Sequence, residues 1–287
     1  MSAPGFPLEA ARQAVIRALD EDLGPGGDVT TRAVAGSGGH AVGEIVAREP
    51  LVVAGLPVVA LVFEEMTRRT GLPSRVTLHV EEGTAVAAGR TLATVEGPPA
   101  VVLGGERVAL NFLGRLAGIA TLTAEAVREV AGTGARVSDT RKTTPGLRAL
   151  EKYAVAAGGG ENHRPTLDSM VMLKDNHKLI AGGIREALRR AEAAGYPARE
   201  VEVEVETLDE LDEALAGGAG WVLLDNMPLD AIREAARRGA GRARLEVSGG
   251  LRPGRLRPFA EAGVDRLSLG ALTHGARSMD VALDVRT

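Results

Sequence analysis

Charged or glycine-rich groups follow one short apolar segment after another in the second half of the chain. These groups are Thr140-Arg141-Lys142, Lys174-Asp175, Glu204, Asp225-Asn226, Ser248-Gly249-Gly250 and Leu269-Gly270-Ala271. Solvent exposure alone would not place charge or glycine at the end of each segment. If the apolar segments are parallel strands, their carboxyl ends meet at one edge, where such folds build a site. The chemistry available there is anion binding, metal binding and the stabilisation of a developing cation.

The basic groups differ in how strongly their surroundings indicate function. Arg141 and Lys142 lie between an aspartate and a Pro-Gly turn at the end of an apolar segment, which favours anion binding over a solvated loop. Lys174 closes an apolar segment and either extends its head into solvent or is catalytic. His163 and Arg164 follow three glycines. Taken alone, such a pair is more often on the surface than in a site.

Three glutamates alternate with valines over 201–206. If the valines face helices, then Glu202, Glu204 and Glu206 face the interior or mouth of the sheet. Burying all three would be costly, so at most two are site residues and the rest need partners or solvent. Asp225 is the natural companion of Glu204, and two such carboxylates suggest Mg²⁺ binding or stabilisation of a cation. The alternative is a structural ion pair.

Two glycine-rich segments follow the last two apolar segments of the series. They are Ser248-Gly249-Gly250 and Leu269-Gly270-Ala271. Both leave backbone N–H groups open, and barrels commonly bind a phosphate at late strand ends. The alternative is a pair of tight turns, which also require glycine.

The elements that must position these groups alternate regularly. Apolar patterns predict strands at 136–140, 170–174, 201–205, 221–225, 244–248 and 266–270, and helices near 147–157, 178–194, 208–216, 229–238 and 254–262. Such alternation is typical of parallel strands joined by helices. Six strands fit a doubly wound sheet or a partial barrel, and chemistry at successive strand ends favours an open parallel α/β barrel with fewer than eight strands.

The first part of the chain is mixed α/β without regular order. It predicts helices at 8–23, 56–70 and 106–117, and strands within 42–53, 76–80 and 90–95. We expect an N-terminal α/β sandwich domain over 1–115 and the barrel domain over 116–275. We expect the tail, 276–287, to pack back on the N-terminal domain.

Composition narrows the class of protein. The chain has 287 residues, a formal net charge of −4 and no cysteine. Nothing points to nucleic acid or a membrane surface, so anions must be bound by a local cluster of cations. Disulfides and cysteine-based zinc sites are excluded. Residues 1–7 lack the pattern of a signal peptide, and no apolar stretch is long enough to span a bilayer, so we expect a cytoplasmic protein.

The order of these motifs along nearly the whole chain resembles the quinolinate phosphoribosyltransferase family. The similarity is strongest in the run Asp139-Thr-Arg-Lys-Thr-Thr-Pro-Gly-Leu-Arg148, which is highly specific. The other matching motifs are Glu106-Arg107, Asn162-His163-Arg164, Lys174-Asp-Asn-His177, Leu224-Asp225-Asn226-Met227, Ser248-Gly249-Gly250 and Ser268-Leu269-Gly270-Ala271-Leu272. The resemblance implies the two-domain fold above.

The resemblance also implies an activity. Quinolinate and phosphoribosyl pyrophosphate would give nicotinate mononucleotide, pyrophosphate and CO₂, with Mg²⁺. By position, the residues that hold quinolinate and the phosphates would be Arg107, Thr140, Arg141, Lys142, His163, Arg164 and Lys174. Glu204 and Asp225 would lie on the ribose and Mg²⁺ side, and the two glycine-rich segments would hold the 5′-phosphate. The catalytic group would comprise Lys142, Lys174, Glu204 and Asp225. Family members are homodimers, sometimes assembled into higher homo-oligomers, and Arg107 would reach into the neighbouring subunit's site.

Three other functions are compatible with parts of the sequence. Nicotinate phosphoribosyltransferase would use a related fold without releasing CO₂. A Schiff-base aldolase would use Lys174 as its nucleophile, and borohydride would trap its intermediate. A phosphate sensor would bind without turnover.

Overall fold

A computed structural model describes residues 5–35 and 39–286 of the chain. The described residues form two compact units. Unit 1 comprises those within Met1–Ala124, Thr143–Gly159 and Thr273–Thr287, and unit 2 comprises Glu125–Lys142 and Gly160–Leu272. The expected domains were continuous segments with limits at residues 115 and 275, whereas each of these units combines separate segments of the chain. The expected limits stay a prediction.

The described residues form helices of very different lengths. They are α1 (Leu8–Leu23), α2 (Val29–Val34), α3 (Leu56–Thr70), α4 (Pro99–Glu129), α5 (Arg148–Ala157), α6 (Asp175–Ala181), α7 (Ile184–Ala193), α8 (Leu208–Ala216), α9 (Leu229–Gly239), α10 (Arg257–Ala260) and α11 (Ala271–His274). Among the described residues, no helix combines the length and apolarity that crossing a bilayer requires.

The strands are short and fall into two main sheets. They are β1 (Ala41–Ala47), β2 (Leu51–Val52), β3 (Arg75–Leu78), β4 (Ala85–Val86), β5 (Thr91–Gly97), β6 (Arg136–Ser138), β7 (Met172–Leu173), β8 (Glu202–Val205), β9 (Trp221–Asp225), β10 (Arg244–Ser248), β11 (Arg266–Ser268) and β12 (Val281–Arg286).

Unit 1 contains an antiparallel sheet in the order β12-β1-β5-β3 and a two-stranded ribbon of β2 and β4. The predicted helices at 8–23 and 56–70 are confirmed as α1 and α3. Glycines set their ends, since Gly24 and Gly71 follow them with φ values of 53° and 71°. The helix predicted at 106–117 is part of the much longer α4.

Unit 2 is built on six parallel strands in the order β6-β11-β10-β9-β8-β7. Because β6 and β7 lie at opposite ends of this order, the sheet is open, and the predicted fold class is confirmed. One helix prediction was wrong. The segment 178–194 is two helices, α6 and α7, because Gly182 and Gly183 take φ values of 93° and 123°, which end one helix before the next begins.

The register separates apolar from charged residues on the two faces of this sheet. Val203 pairs with Val222, and Val205 pairs with Leu224. These side chains are fully buried. On the opposite face, Glu204 pairs with Leu223, which in turn pairs with Glu246. The predicted orientation, with valines on one face and glutamates on the other, is therefore confirmed.

Candidate functional site

The carboxyl-terminal ends of the unit 2 strands bring the predicted groups to one edge. Asp225 is paired with Ser248 across β9 and β10, and Ser268 is paired with Ser138 across β11 and β6. Partners in a parallel ladder point to the same side of the sheet. The charged face of the open barrel therefore continues into the residues that follow each strand.

The three alternating glutamates have different environments. Glu202 is 1% exposed and Glu204 is 7% exposed. Glu206, after the end of β8, is exposed. Two of the three are buried, which is the most that burial cost led us to expect, and each has a cationic or ionisable neighbour.

Lys174 forms an ion pair with Glu204. The lysine precedes α6, and its backbone N–H donates to His177 Nδ1 at 3.0 Å, which closes the first turn of that helix. Its side chain is 44% exposed, whereas the Glu204 side chain is 10% exposed. A half-exposed ammonium group thus lies on a nearly buried carboxylate. Both groups could exchange this partner for a charged substrate.

Asp225 lies at the end of β9 beside a constrained turn. Asn226 Nδ2 donates to Asp225 Oδ2 at 2.8 Å, and the Asn226 backbone N–H donates to the Ser248 carbonyl at 3.0 Å. Asn226 itself has a φ of 53°. Gly249 has a φ of 92°, and a Cβ there would lie 2.9 Å from Asn226 N. Only glycine therefore fits at position 249, as both an open phosphate-binding turn and a tight structural turn would require.

Two of the basic residues, Arg141 and Arg164, interact electrostatically. Burial, and after it the neighbouring Arg141, lower the pKa of Arg164, while Glu202 opposes this. Arg164 also donates through Nη1 to the Met170 carbonyl at 2.9 Å. Lys142 is exposed, and its backbone N–H donates to Thr140 Oγ1 at 3.0 Å. Positive charges that influence each other in this way suit the binding of an anion with several charges.

His163 connects this basic loop to the interior. Its backbone N–H donates to Asp139 Oδ1 at 2.9 Å, and its Nδ1 accepts the Arg164 backbone N–H at 2.8 Å. Its Nε2 lies 3.2 Å from Glu202 Oε2 and 3.5 Å from Glu246 Oε2. Both ring nitrogens thus face protein groups in this structure. A direct contact between His163 and a substrate stays a prediction.

The buried carboxylates of Glu202 and Glu246 face the Nε2 side of His163. Burial lowers the pKa of His163, but Glu202 and Glu246 outweigh this and raise it to about 9. Burial raises the pKa of Glu202.

Glu246 was not among the predicted site residues. It is 1% exposed, and Arg266 Nη1 lies 3.1 Å from its Oε2. The guanidinium carbon of Arg266 lies 4.1 Å from the centroid of the Trp221 ring. A signal was present in the sequence, because Glu246 alternates with Leu245 and Val247 as the β8 glutamates alternate with valines.

Arg107 belongs to unit 1. It lies on α4 and is exposed, whereas the neighbouring Val108, Ala109 and Leu110 are buried. Its predicted role in a neighbouring subunit stays a prediction.

Glu204 and Asp225 have the donor chemistry that Mg²⁺ prefers. Both offer carboxylate oxygens from adjacent strands on the same face of the sheet. Mg²⁺ is usually held by one or two carboxylates together with substrate phosphates and water. His163, Glu202 and Glu246 form another group of metal-binding type, all buried. A hard cation fits them less well, because one donor is an imidazole nitrogen and Arg266 already contacts Glu246 Oε2.

Comparisons with known proteins agree with this architecture. Residues 28–117 match the model for the N-terminal domain of quinolinate phosphoribosyl transferase, and residues 119–284 match the model for its C-terminal domain. A nicotinate-nucleotide pyrophosphorylase [carboxylating] of Mycobacterium leprae is 44% identical, over 97% of this chain and 98% of its own length. A probable enzyme of the same name from Bacillus subtilis is 42% identical, over 92% of this chain and 90% of its own length.

Solved structures give the same result. The nicotinate-nucleotide pyrophosphorylase of Francisella tularensis superposes with a TM-score of 0.91 at 32% identity, covering 98% of this chain and 97% of that one. The two family models together cover nearly the entire chain. The sequence relatives and the Francisella tularensis structure do so as well. This chain therefore belongs to the quinolinate phosphoribosyl transferase family.

Proposed function

We propose that the protein transfers a phosphoribosyl group from phosphoribosyl pyrophosphate to quinolinate and releases CO₂, with Mg²⁺, in the synthesis of pyridine nucleotides. The observation that carries this proposal is the group of charged residues at the strand ends, where Lys174 pairs with Glu204 and Asp225 lies on the same face of the sheet. The chain also belongs to the quinolinate phosphoribosyl transferase family. The exposed ammonium group of Lys174, together with Arg141, Lys142 and Arg164, suits an anion with several charges, and quinolinate has two carboxylates.

Each group of the site has a part in this proposal. Thr140, Arg141, Lys142, His163, Arg164 and Lys174 form the pocket for quinolinate and the phosphates. Ser248-Gly249-Gly250 and Leu269-Gly270-Ala271 hold the 5′-phosphate through backbone N–H groups.

Glu204 and Asp225 act on the ribose side. The bond between the anomeric carbon and pyrophosphate breaks as the quinolinate ring nitrogen bonds to that carbon, so positive charge develops on the sugar. A carboxylate on this side stabilises that charge. Mg²⁺, when bound by Glu204 and Asp225, would neutralise the leaving pyrophosphate. Lys174 releases Glu204 when substrate enters and then faces a substrate anion.

Decarboxylation follows from the product of the first step. The ring nitrogen that carries ribose is cationic, and it stabilises the electron pair left on the adjacent ring carbon as CO₂ departs. A proton then replaces the lost carboxylate. The chain therefore needs no organic cofactor for this step.

Two further parts of the proposal concern the assembled protein. We place the enzyme in the cytoplasm as a homodimer. Arg107 of one subunit completes the site of the other, which is consistent with an exposed arginine next to buried residues on α4.

The test is conversion by the purified protein. With quinolinate, phosphoribosyl pyrophosphate and Mg²⁺, we expect nicotinate mononucleotide, pyrophosphate and CO₂ in equal amounts, and no product after removal of Mg²⁺ with EDTA. Nicotinate should be a poor substrate, because each missing carboxylate leaves a cation unpaired at a cost of roughly 2–5 kcal/mol. Equal use of nicotinate without CO₂ release would overturn the proposal in favour of a nicotinate phosphoribosyltransferase.

A further inference from the structure

A continuous line of contacts runs through the interior of unit 2 to the basic loop. It begins at Trp221, at the start of β9, where Arg266 lies over the indole ring with its guanidinium carbon 4.1 Å from the ring centroid. Arg266 Nη1 lies 3.1 Å from Glu246 Oε2, and this oxygen lies 3.5 Å from His163 Nε2. His163 Nδ1 then accepts the Arg164 backbone N–H at 2.8 Å.

The strand register explains why these side chains meet. Glu246 pairs with Arg266 across β10 and β11, and with Leu223 across β10 and β9. Trp221 is two residues before Leu223 and therefore lies on the same face. Three separate strands thus supply Trp221, Glu246 and Arg266, and the pairing of these strands fixes the positions of the three residues.

Burying the charged pair of Glu246 and Arg266 costs desolvation free energy. Glu246 is 1% exposed, and the Arg266 side chain is 17% exposed. A buried ion pair often contributes less to stability than apolar side chains of the same size would, so its presence is weak evidence for a purely structural role. The upper end of the line is a residue of the proposed substrate pocket.

Arg164 needs such support because of its neighbour. The guanidinium groups of Arg141 and Arg164 repel each other before substrate binds. His163 Nδ1 accepts the Arg164 backbone N–H, and the carboxylates of Glu202 and Glu246 lie 3.2 Å and 3.5 Å from His163 Nε2. Side chains that orient such contact residues from behind commonly have large effects on the function of the site.

We propose that Glu246, held by Arg266, is a positioning residue that orients His163 and through it the Arg164 backbone, and so sets the affinity for the pyridine dicarboxylate. This inference rests on the proposed function. It concerns the binding of one substrate, and it does not involve the groups assigned to ribose, Mg²⁺ or the 5′-phosphate.

The experiment compares Glu246→Gln, Glu246→Leu and the control Glu234→Gln. Glu234 is a carboxylate on α9 that pairs with Arg237 and Arg238 at the surface. For Glu246→Leu we expect the KM for quinolinate to rise about ten-fold or more, with the KM for phosphoribosyl pyrophosphate changed by less than about two-fold. Glu246→Gln keeps an acceptor oxygen and should lie between this variant and wild type. A fall in kcat with both KM values unchanged, or an unchanged quinolinate KM in a folded Glu246→Leu protein, would refute the inference.

A second measurement does not depend on turnover. In the substrate-free protein, the NMR resonance of the Arg164 amide proton should move in Glu246→Leu and stay in place in Glu234→Gln. The emission of Trp221, the one tryptophan of the chain, should also change in Glu246→Leu because Arg266 loses its anchor. A wild-type protein inactive on quinolinate refutes the proposed function alone, whereas an unmoved Arg164 amide refutes the positioning role alone. If Glu246→Leu fails to fold, Glu246→Gln and Arg266→Lys give the same comparison.

Discussion

Two lysines close in sequence have opposite environments, and this decides what each can do. Lys174 is 44% exposed and pairs with one carboxylate at the mouth of the sheet. Lys178 is 9% exposed and lies 2.9 Å from both Asp175 Oδ1 and Glu210 Oε1. The first can exchange partners when substrate arrives. The second is held by two carboxylates and stabilises the start of α6.

We therefore expect Lys174→Ala to fold but to lose most activity, with kcat/KM lower by at least about 100-fold. Its free energy of unfolding should fall by about 1–3 kcal/mol, because the nearly buried Glu204 carboxylate loses its partner. Steady-state kinetics and a thermal melt measure the two effects. Near-normal turnover in a folded Lys174→Ala protein would make this residue structural.

The matched variant Lys178→Ala should lose stability but keep most of its activity. It leaves Asp175 and Glu210 without their shared cation, so the free energy of unfolding should fall by about 1–3 kcal/mol. Activity per folded molecule should fall much less than in Lys174→Ala. A loss of activity in Lys178→Ala as large as that in Lys174→Ala would contradict this assignment.

Helix ends show which secondary-structure limits the sequence pattern could predict and which it could not. α1 and α3 were predicted with their observed limits because glycine follows each helix directly. The break between α6 and α7 was missed because apolar residues continue the helical spacing through it. Of these, Leu179 and Ile180 are about 80% exposed, so they do not form the buried face that the pattern implied.

The turn after β10 gives a test with a built-in control. Gly249 and Gly250 both have positive φ, 92° and 64°, so alanine strains the backbone at either position by about 1–2 kcal/mol. A Cβ at Gly249 would also overlap Asn226, whereas a Cβ at Gly250 has no atom within 4 Å. Gly249→Ala should raise the KM for phosphoribosyl pyrophosphate more than about ten-fold, and Gly250→Ala only a few-fold. Equal effects of the two substitutions would argue against a phosphate site that depends on this turn shape.

Helix α3 gives a pH-dependent contribution to stability. Hydrogen bonds from Arg68, and then from Arg69, lower the pKa of Glu65 to about 2 against the opposing effect of burial. A carboxylate with a lowered folded-state pKa stabilises the protein above its unfolded pKa of about 4.5, and this stabilisation is lost as the pH falls toward 2.

Glu65→Gln should therefore be less stable than wild type at pH 7 by about 1 kcal/mol, a modest value because Arg68 is 69% exposed and solvent screens the pair. Urea unfolding at a series of pH values should show this difference constant above pH 5 and shrinking below it. A difference that is independent of pH would assign the effect to packing.

At the scale of the whole molecule, the sequence predicted the open parallel sheet because alternating apolar and amphipathic segments leave few other folds. It also predicted where β8, β9 and β10 end, whereas β6, β7 and β11 end one or two residues earlier than expected. It did not predict the line from Trp221 to His163. That line joins side chains from three strands and a loop, and only the register brings them together. Local patterns identify the residues near a substrate more readily than the residues that support them.

The proposed dimer is testable by mixing inactive variants. If Arg107 completes the neighbouring site, Arg107→Ala and Lys174→Ala homodimers are each inactive, but subunit exchange creates dimers with one intact site. At full exchange half of the dimers are mixed, so we expect up to about a quarter of wild-type activity. Exchange is confirmed by mass labelling, and Lys174→Ala mixed with wild type is the control for dilution. If exchange occurs and no activity returns, Arg107 acts within its own chain.

The pairing of β1 with β12 has a consequence for how the protein is made. β1 ends at Ala47, yet its neighbour on one side is residues 281–286. During synthesis on the ribosome, the first sheet therefore waits with an open edge while all of unit 2 is translated. β1 carries the buried residues Ile45, Val46 and Ala47, and an unpaired apolar edge is a site for unwanted association between chains. Premature termination near residue 280 would leave that edge open permanently, so incomplete chains should aggregate or be degraded even though every strand of unit 2 is present.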